Sequence, residues 1–307
     1  MAITAMYQES VAQGQIHQAK VVLCTVPGEP PLLKYTWFQN RNYLLGLEAV
    51  LKRCGPLEYL LLHIPDYEVN QVLDWLSASA TLLQNVKDLH LNVLLFNIDI
   101  IQGQNVRGLT RFGKVTCTTA HEAYSDLATR EAMGVSLHRL LICKGPEFYS
   151  PTGYQDKEPL LIVSPDAHPL KELVLQKIAK ELPDLRIQVI RDLSYEDYTR
   201  LIRRAKWSLT FGEGLDGFFV ETVFSGGVSF AVFNERFFTP AFTTLETVYP
   251  SWTALVERIA EDLQRLDEPA IYNRCWRQAH DLLSYHLDTE RFRENLRMFY
   301  RGEYTFP

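Results

Sequence analysis

The chain has 307 residues, enough for two domains of ordinary size, each with its own hydrophobic core. Hydrophobic residues make up 47% of it and charged residues 22%, a composition that excludes a largely disordered protein. The net charge of −6 argues against a nucleic-acid partner, for which a basic surface is expected. The sequence shows no apolar run of membrane-spanning length and no secretory signal, so we expect a cytoplasmic protein.

The first half of the chain alternates predicted strands and helices. Short apolar runs predict strands at 20–25, 57–63, 91–96, 115–119 and 139–143. Helical periodicity predicts helices at 35–53, 68–77 and 121–133. The polar residues 1–18 are expected to be loose, and the prolines of 26–31 are expected to stiffen a turn. This order indicates a Rossmann-like parallel sheet.

A segment rich in proline and glycine, 144–159, is predicted to link this half to a second one of the same kind. Strands are predicted at 160–164, 186–190, 207–210, 228–233 and 247–249. Helices are predicted at 169–182, 195–206, 218–225, 251–267, 269–284 and 288–301. The second half therefore repeats the alternation of strand and helix that builds a parallel sheet.

The stretch 205–232 carries the strongest functional signal. A buried strand at 207–210 leads into a glycine-rich turn and then into a short helix at 218–225. Such a turn lies at the carboxyl end of a strand, where open α/β sheets bind ligands. Glu213 stands in the turn, and Glu221 stands in a helix that is apolar nearly all round. A carboxylate on a buried helix needs hydrogen-bond donors, which sugar and ribose hydroxyls can supply.

This pattern resembles the signature of retaining glycosyltransferases of the GT-B fold, in the large group called family 4. The resemblance rests on Glu213, on Glu221 eight positions later, and on the glycines between and after them. It implies an α/β fold of two Rossmann-like domains that face each other across a cleft. An acceptor domain would span 1–150, a nucleotide-sugar donor domain 151–285, and a helix at 286–307 would cross back to the first domain.

The resemblance also implies a role for each residue. Glu213 would approach the hydroxyls of the donor sugar, and Glu221 would bind the ribose of the nucleotide. The turn would contact the sugar and the diphosphate through Gly214, Leu215, Asp216 and Gly217. The sequence departs from the family pattern at Leu215 and Asp216, where Phe-Gly is usual, and at Val228, where Pro is usual. Asp216 would place a negative charge near the diphosphate.

Candidate residues also follow other predicted strands. After the first strand of the second half the family usually has an Arg and, five residues later, a Lys; here Asp166 and Lys171 stand at these positions. Lys171 is therefore predicted to be a lone phosphate contact. In the first half, Asp99 and His121 each follow a strand and are candidate catalytic residues on the acceptor side. Asp99 can instead cap a turn, and His121 can cap the helix after it.

Other chemistries are disfavoured. The five cysteines have no short paired spacing, which argues against a zinc site and against a disulfide framework. The sequence has no Asp-x-Asp motif around Asp99, no dinucleotide-binding glycine motif, no Walker loop and no Gly-x-Ser-x-Gly elbow. We therefore expect no metal and no cofactor besides the nucleotide-sugar substrate.

The sequence thus predicts a metal-independent, hexosyltransferase-like enzyme that moves a sugar, with retention, from a UDP- or GDP-linked donor to a glycan or glycoconjugate. Its setting would be polysaccharide biosynthesis, with peripheral contact to the inner membrane left open and with no nucleic acid as a partner. Two alternatives remain: a nucleotide-sugar epimerase of the same fold, and a non-catalytic subunit that binds a sugar nucleotide or a partner.

Overall fold

The structure is a computed structural model that describes residues 6, 7, 9–12, 19–25 and 44–307. The chain divides into two compact units. Among the described residues, the first unit holds those up to Lys144 together with Asp288–Pro307, and the second unit holds Gly145–Leu287. Each unit contains parallel strands joined by helices, so the predicted α/β, Rossmann-like fold class is confirmed.

The first unit has two parallel sheets in its described part. Its elements in chain order are β1 (Leu23–Thr25), β2 (Leu44–Gly46), α1 (Leu47–Cys54), β3 (Leu57–Pro65), α2 (Val69–Ala78), α3 (Ala80–Leu83), β4 (Val86–Leu95), α4 (Ile98–Ile101), β5 (Lys114–Thr119), α5 (Leu127–Met133) and β6 (Ser136–Arg139). β1 pairs with β2, while β3, β4, β5 and β6 form a four-stranded sheet in that order. Each connection within this larger sheet contains a helix, as a crossover between parallel strands requires.

The second unit has one five-stranded parallel sheet. Its elements are β7 (Glu158–Val163), α6 (Lys171–Glu181), β8 (Arg186–Val189), α7 (Tyr195–Arg204), β9 (Ala205–Leu209), α8 (Gly217–Phe224), β10 (Val228–Val232), β11 (Val248–Tyr249), α9 (Trp252–Arg265) and α10 (Pro269–His286); α11 (Thr289–Arg301) follows and belongs to the first unit. The strand order is β11-β10-β9-β7-β8, so the direction of winding reverses between β7 and β9. The carboxyl ends of these two strands form the switch point at which open α/β sheets bind ligands.

The central strands of the second unit are buried on both faces. Every residue of β9 and β10 is buried, which explains why most residues of both strands are apolar. The hydroxyls of Ser208 and Ser229, one on each strand, lie 2.8 Å apart, and Ser229 also donates to the carbonyl of Phe219. These two hydroxyls therefore have hydrogen-bond partners inside the protein, as buried polar groups require.

Three histidines lie on the face of the first unit's larger sheet that α11 covers. His63, His90 and His138 stand on β3, β4 and β6, and each ring centroid is 5.5 to 5.9 Å from that of Phe299 on α11. The Nε2 atom of His138 also donates to the carbonyl of Asn295 on the same helix, at 2.7 Å. Imidazole rings thus form part of the contact between this sheet and α11.

Hydrogen bonds along these strands connect two of the rings. The Tyr59 hydroxyl donates to Nδ1 of His90, whose Nε2 donates to the Thr116 hydroxyl. Thr116 donates to Asn92, and the Asn92 amide donates to Nδ1 of His63 at 2.9 Å. Burial lowers the pKa of His90 to about 4, with a further contribution from the charge of Lys114, and burial lowers the pKa of His63 to about 3.

The helix predicted over 35–53 is only partly present, and residues 35–43 lie outside the described part of the chain. Leu44–Gly46 forms β2, and the helix begins at Leu47. The prediction is wrong for 44–46 because two leucines suit a short parallel strand as well as a helix face. Here the pairing of Leu45 with Cys24 on β1 decides for the strand.

The strand predicted over 139–143 is also misplaced, since β6 ends at Arg139. Beyond β6, the amide of Leu140 still bonds the carbonyl of Thr119. Leu140 and Cys143 are apolar because they pack in a core cluster with Leu296 of α11, and this burial does not require a strand.

The N-terminal residues differ from the prediction as well. Residues 6, 7 and 9–12, predicted to be loose, are helical, and Glu9 forms an ion pair with Arg293 at 2.9 Å. This ion pair joins parts of the first unit that are far apart in sequence. Local sequence patterns cannot predict such a contact. The turn predicted at 26–31 lies outside the described residues.

Candidate functional site

The loop between β9 and α8 lies at the carboxyl edge of the second unit's sheet, next to the switch point. Glu213 is exposed in this loop. Gly214 is buried with φ of +90°, and a Cβ there would lie 2.4 Å from Cε2 of Phe238. Leu215 packs against the apolar cluster that contains Phe238. Gly214 and Leu215 therefore fix the loop from the core side, while Glu213 remains accessible to solvent.

Asp216 is the N-cap of α8. Its Oδ1 accepts a hydrogen bond from the amide of Phe219 at 2.8 Å, and its Oδ2 accepts one from the Thr210 hydroxyl at 2.7 Å. The carboxylate predicted to oppose a diphosphate thus stabilises the helix start and the end of β9. An anion bound at this helix start would use the other free amides of the first turn.

Replacement of Asp216 by Ala is expected to lower the free energy of unfolding by about 1 kcal/mol, since the helix loses its cap. Replacement by Asn is expected to cost only a few tenths of a kcal/mol, because an amide oxygen caps nearly as well. Urea unfolding followed by tryptophan fluorescence measures both variants. An equal loss in the two would contradict the capping role.

The loop between β7 and α6 meets the β9–α8 loop, because β7 and β9 are neighbours. Ser164 Oγ accepts a hydrogen bond from the amide of Phe211 at 2.9 Å. The Lys171 ammonium donates to the carbonyls of Ser164 and Asp166, at 2.5 and 2.8 Å. Burial lowers the pKa of Lys171, while the Asp166 carboxylate acts in the opposite direction. A Cβ at Gly212 would lie 2.9 Å from Oδ2 of Asp166, so these two loops are in close contact.

Three aromatic rings stack at the same edge. The rings of Phe211 and Trp252 lie 5.5 Å apart and 11° from parallel, and His168 stacks on Trp252 at 3.7 Å. Trp252 is the first residue of α9, so the stack joins the loop after β7 to the start of that helix. The backbone that carries Lys171 is thereby held in place.

Glu221 lies on the side of α8 that faces α7. It is 3% exposed, and its charge adds to burial in raising the pKa of the buried Tyr198 on α7 well above its usual value. Burial, and then the charge of Glu221, raises the pKa of Tyr195 on the same helix to about 12. The second predicted carboxylate is therefore buried between two helices, beside two phenol groups.

In the first unit, Asp99 and Asp66 lie at the carboxyl edge of the larger sheet. Asp99 is exposed at the start of α4, and its amide bonds the side chain of the N-cap Asn97. Asp66, at the end of β3, is fully buried and accepts hydrogen bonds from the amides of Phe96 and Asn97. Asp66 thus holds the loop that presents Asp99.

His121 follows β5 and is half-buried, with its ring 5.0 Å from that of Tyr124. Burial, and then the charge of Arg139 at the end of β6, lowers its pKa to about 4, so the ring is neutral at physiological pH. The helix predicted over 121–133 is split, because Asp126 caps α5 through the amide of Thr129.

The structure brings together some of the predicted residues. Lys171 and the Gly214–Gly217 segment, which contains Leu215 and Asp216, share the carboxyl edge of the second unit, and Glu221 lies on the helix that begins there. Asp99 and His121 follow neighbouring strands of the first unit. Sequence reasoning missed Tyr198 and Arg139, because each meets its partner only through the fold. The only local feature that marks these two residues is their place in an element, since Tyr198 is in the first turn of a helix and Arg139 ends a strand.

The described part of the chain lacks two features, a cluster of metal-ligand side chains and a membrane-spanning helix. Among the residues that the structure describes, no group of three or more His, Cys, Asp or Glu side chains could hold a metal ion. In that same part of the chain, no helix has the length and apolar character needed to cross a membrane.

Two solved structures share this fold. The first, an alpha-glucosyltransferase in complex with UDP-glucose and DNA containing an abasic site, matches with a TM-score of 0.62 at 9% identity, over 95% of this chain and 94% of that one. The second, an alpha-glucosyltransferase in complex with UDP and a 13-mer DNA containing a central A:G mismatch, matches with a TM-score of 0.60 at 10% identity, over 97% and 95%. No family model matches the sequence, and no curated protein matches it. The chain thus has the GT-B fold of glycosyltransferases.

These two structures correct one prediction. The net charge of −6 suggested that nucleic acid is excluded as a partner, but both neighbours of this fold are complexes with DNA. The exclusion is wrong because net charge averages over the whole surface, whereas binding depends on how charge is distributed over it.

Proposed function

We propose that the chain is a metal-independent glycosyltransferase that moves a hexosyl group, with retention, from a UDP- or GDP-linked donor, by analogy with family 4. The observation that carries the proposal is the placement of Glu213 and Glu221. One lies in the loop at the switch point of the second unit, and the other lies on the helix that begins there, in a fold shared with proteins solved with UDP-glucose and UDP.

In this proposal the donor binds at the carboxyl edge of the second unit. The exposed Glu213 accepts hydrogen bonds from hydroxyls of the donor sugar, and Glu221 accepts them from the ribose. The leaving diphosphate is stabilised by first-turn amides of α8 and by Lys171, which exchanges its bonds to the carbonyls of Ser164 and Asp166 for the phosphate. These positive groups stabilise the negative charge of the leaving diphosphate, which a metal ion stabilises in other transferases.

The proposed acceptor is a glycan or glycoconjugate bound at the carboxyl edge of the first unit, as in polysaccharide assembly on the cytoplasmic side of a membrane. His121 is neutral above pH about 4, so its ring can accept a hydrogen bond from an acceptor hydroxyl. Asp99 is exposed at the same edge and can do the same.

Titration calorimetry with UDP and GDP, followed by release of nucleotide from a panel of donor sugars, tests the proposal. We expect micromolar binding of one nucleotide and release of it that depends on an acceptor. Candidate acceptors are simple glycosides, lipid-linked sugars and duplex DNA, the last because both structural neighbours hold DNA. Absence of binding by both nucleotides would reject the proposed function.

A second candidate is a non-catalytic subunit that binds a sugar nucleotide. It is favoured by two carboxylates at the donor edge, since Asp216 caps α8 and Asp166 stands where the family has an Arg. Such a subunit would bind UDP or GDP but release no nucleotide from any donor and acceptor combination.

A further inference from the structure

The segment 304–306, which follows α11, covers an edge of the first unit's larger sheet. β6 is the last strand in the order β3-β4-β5-β6 and pairs with β5 on one side. On its other side Leu137 and Phe306 each donate their amide to the carbonyl of the other, both at 2.9 Å. The amide of Arg139 donates to the Thr305 hydroxyl at 3.0 Å. We call this segment the strap, because it satisfies backbone groups of an edge that would otherwise be open.

Two side chains of the strap also contact cations of the first unit. The guanidinium of Arg130 on α5 lies 4.2 Å from the ring centroid of Phe306, and the ammonium of Lys114 on β5 lies 4.6 Å from that of Tyr304. Thr305 is exposed, while Tyr304 and Phe306 are half-buried. A segment with this much contact to solvent opens at a lower free energy than the buried strands beside it. The strap can therefore open without unfolding of the sheet.

His138 on β6 joins the strap to α11. Its Nε2 lies 2.7 Å from the carbonyl oxygen of Asn295, and its Nδ1 lies 3.3 Å from the amide nitrogen of Thr305. A carbonyl only accepts and an amide only donates, so Nε2 carries the proton and Nδ1 is the acceptor. The ring is thus fixed in one neutral tautomer by the two elements that it joins.

Protonation of Nδ1 is incompatible with this arrangement. The Thr305 hydroxyl, 3.2 Å from Nδ1, can turn its proton away and accept instead, but the Thr305 amide would then face another N–H group. Burial lowers the pKa of His138, while the bond to the carbonyl of Asn295 acts in the opposite direction. Because release of the strap exposes the ring to water, acid favours the released state.

The titratable and charged groups around His138 come from several elements. His90 on β4 lies against the same ring of Phe299 on α11, and its pKa is lowered to about 4, chiefly by burial, so it stays neutral at pH 5. Tyr304 lies in the strap with Lys114 of β5 over its ring. The remaining charged side chains nearby have partners elsewhere: Arg139 donates to Ser125, and Arg297 and Arg301 pair with Glu294.

We propose that His138 is a pH-sensitive latch: protonation of its Nδ1 releases the strap and uncovers the edge of β6 while the sheet stays folded. Above pH of about 6.5 the neutral ring holds the strap, and the attachment weakens as the pH falls below that value, because the ring binds a proton more readily once the strap has left. Histidine suits this role because its charge changes close to neutrality. The latch lies in the first unit and does not depend on the proposed sugar transfer.

Hydrogen exchange of the Phe306 and Leu137 amides, followed by NMR at pH 7.5 and pH 5, tests the latch. Division by the intrinsic exchange rate gives the opening constant of each amide. We expect this constant to rise by up to about 30-fold at pH 5, the factor for one group that binds a proton with a pKa of about 6.5 in the open state only. The amide of the buried Val93 on β4 reports opening of the sheet, and its opening constant should be smaller than that of Phe306 at both pH values.

Two variants assign the effect. His138→Gln keeps a donor and an acceptor but does not titrate, so the opening constant of Phe306 should differ by less than about 2-fold between the two pH values. His63→Gln is the matched control, because the His63 ring also lies against Phe299, at 5.5 Å, but bonds Asn92 on β4. This variant should keep the rise seen in the wild type.

The ring of His138 gives an independent measurement. Its pKa is read from the NMR shift of its Cε1 proton in the wild type and in Thr305→Pro, which has no amide hydrogen to oppose a protonated Nδ1. We expect a higher pKa in the variant. An equal pKa in the two proteins would overturn the latch, whether or not His138→Gln folds.

The exchange data can contradict the latch in three further ways. A wild-type constant for Phe306 that is the same at both pH values would show that acid does not release the strap. Equal constants for Phe306 and Val93 would show that the strap opens only with the sheet. A rise that persists in His138→Gln, or that disappears in His63→Gln, would show that acid acts through other groups under α11.

Discussion

Replacement of Glu213 by Gln is expected to reduce sugar transfer by roughly 100- to 1000-fold, the usual effect of removing one charged contact to a reacting group. Glu213 is exposed in the loop between β9 and α8, so the variant should fold as the wild type does. Because the proposed contact is to the sugar, the affinity for the free nucleotide should stay the same. Steady-state rates with the preferred donor, together with calorimetry of the nucleotide, give both quantities.

Glu235→Gln serves as the control for this prediction. Glu235 is likewise exposed and lies in the loop after β10, at the same edge of the same sheet, so the change in charge is equal. Transfer should be nearly unaffected there. If the two variants lose activity to a similar extent, the effect is one of overall charge at the edge, and the specific role of Glu213 is disproved.

The first unit is expected to lose stability steeply as the pH falls from 6.5 to about 4. His63 and His90 have pKa values lowered to about 3 and about 4, and that of His138 is also lowered, all chiefly by burial. The unfolded chain binds these protons near pH 6.5, so it holds more protons than the folded chain in this window, and acid favours unfolding. His90 alone should remove about 3 kcal/mol by pH 4. Urea unfolding at a series of pH values, with hydrogen exchange to distinguish the two units, measures the effect.

Replacement of His90 by Gln tests the assignment to this group. The variant should start from a lower stability at pH 7, because Tyr59 and Thr116 lose their hydrogen-bond partner. Its unfolding near pH 5 should take up about one proton fewer than that of the wild type, which gives a shallower slope. His280→Gln, on α10 of the second unit, should leave the slope for the first unit unchanged. If the free energy of unfolding has the same slope against pH in His90→Gln and in the wild type, acid destabilises the first unit through groups other than His90.

The sequence predicted the elements of the second unit well because several physical signals agree there. Strands β9 and β10 are buried on both faces, and most of their residues are therefore apolar. Ser194 and Ser251 mark the starts of α7 and α9, and both side chains accept the cap hydrogen bond in the structure. The fold class followed from this agreement.

The partners of the candidate residues could not be predicted in the same way. Glu221 acts on the pKa of Tyr198 only because β9 places α7 beside α8, and the intervening residues give no sign of this proximity. Asp216 looked like a charge opposed to a phosphate, yet its oxygens are used by Phe219 and Thr210. A sequence gives the type of a side chain, whereas its role depends on which groups the fold brings within hydrogen-bond distance.

The three histidines of the first unit illustrate the same limit. His63, His90 and His138 stand on three different strands and form one cluster only after the sheet is assembled and α11 covers it. Each taken alone is an unremarkable residue in an apolar strand. The strand misplaced at 139–143 has a related cause, since burial against α11 made a coil segment apolar.

Lys157 holds two helix ends, since its ammonium donates to the carbonyls of Arg203, at the end of α7, and of Ser225, just after α8. Burial, and then the charge of Arg203, lowers its pKa to about 7 in the folded unit, where its carbonyl partners keep the amine out of reach of reagents. An amine-reactive reagent can acylate it only in molecules whose second unit has transiently opened. The rate at which this lysine is acylated would therefore report the rate of transient opening of the second unit under native conditions.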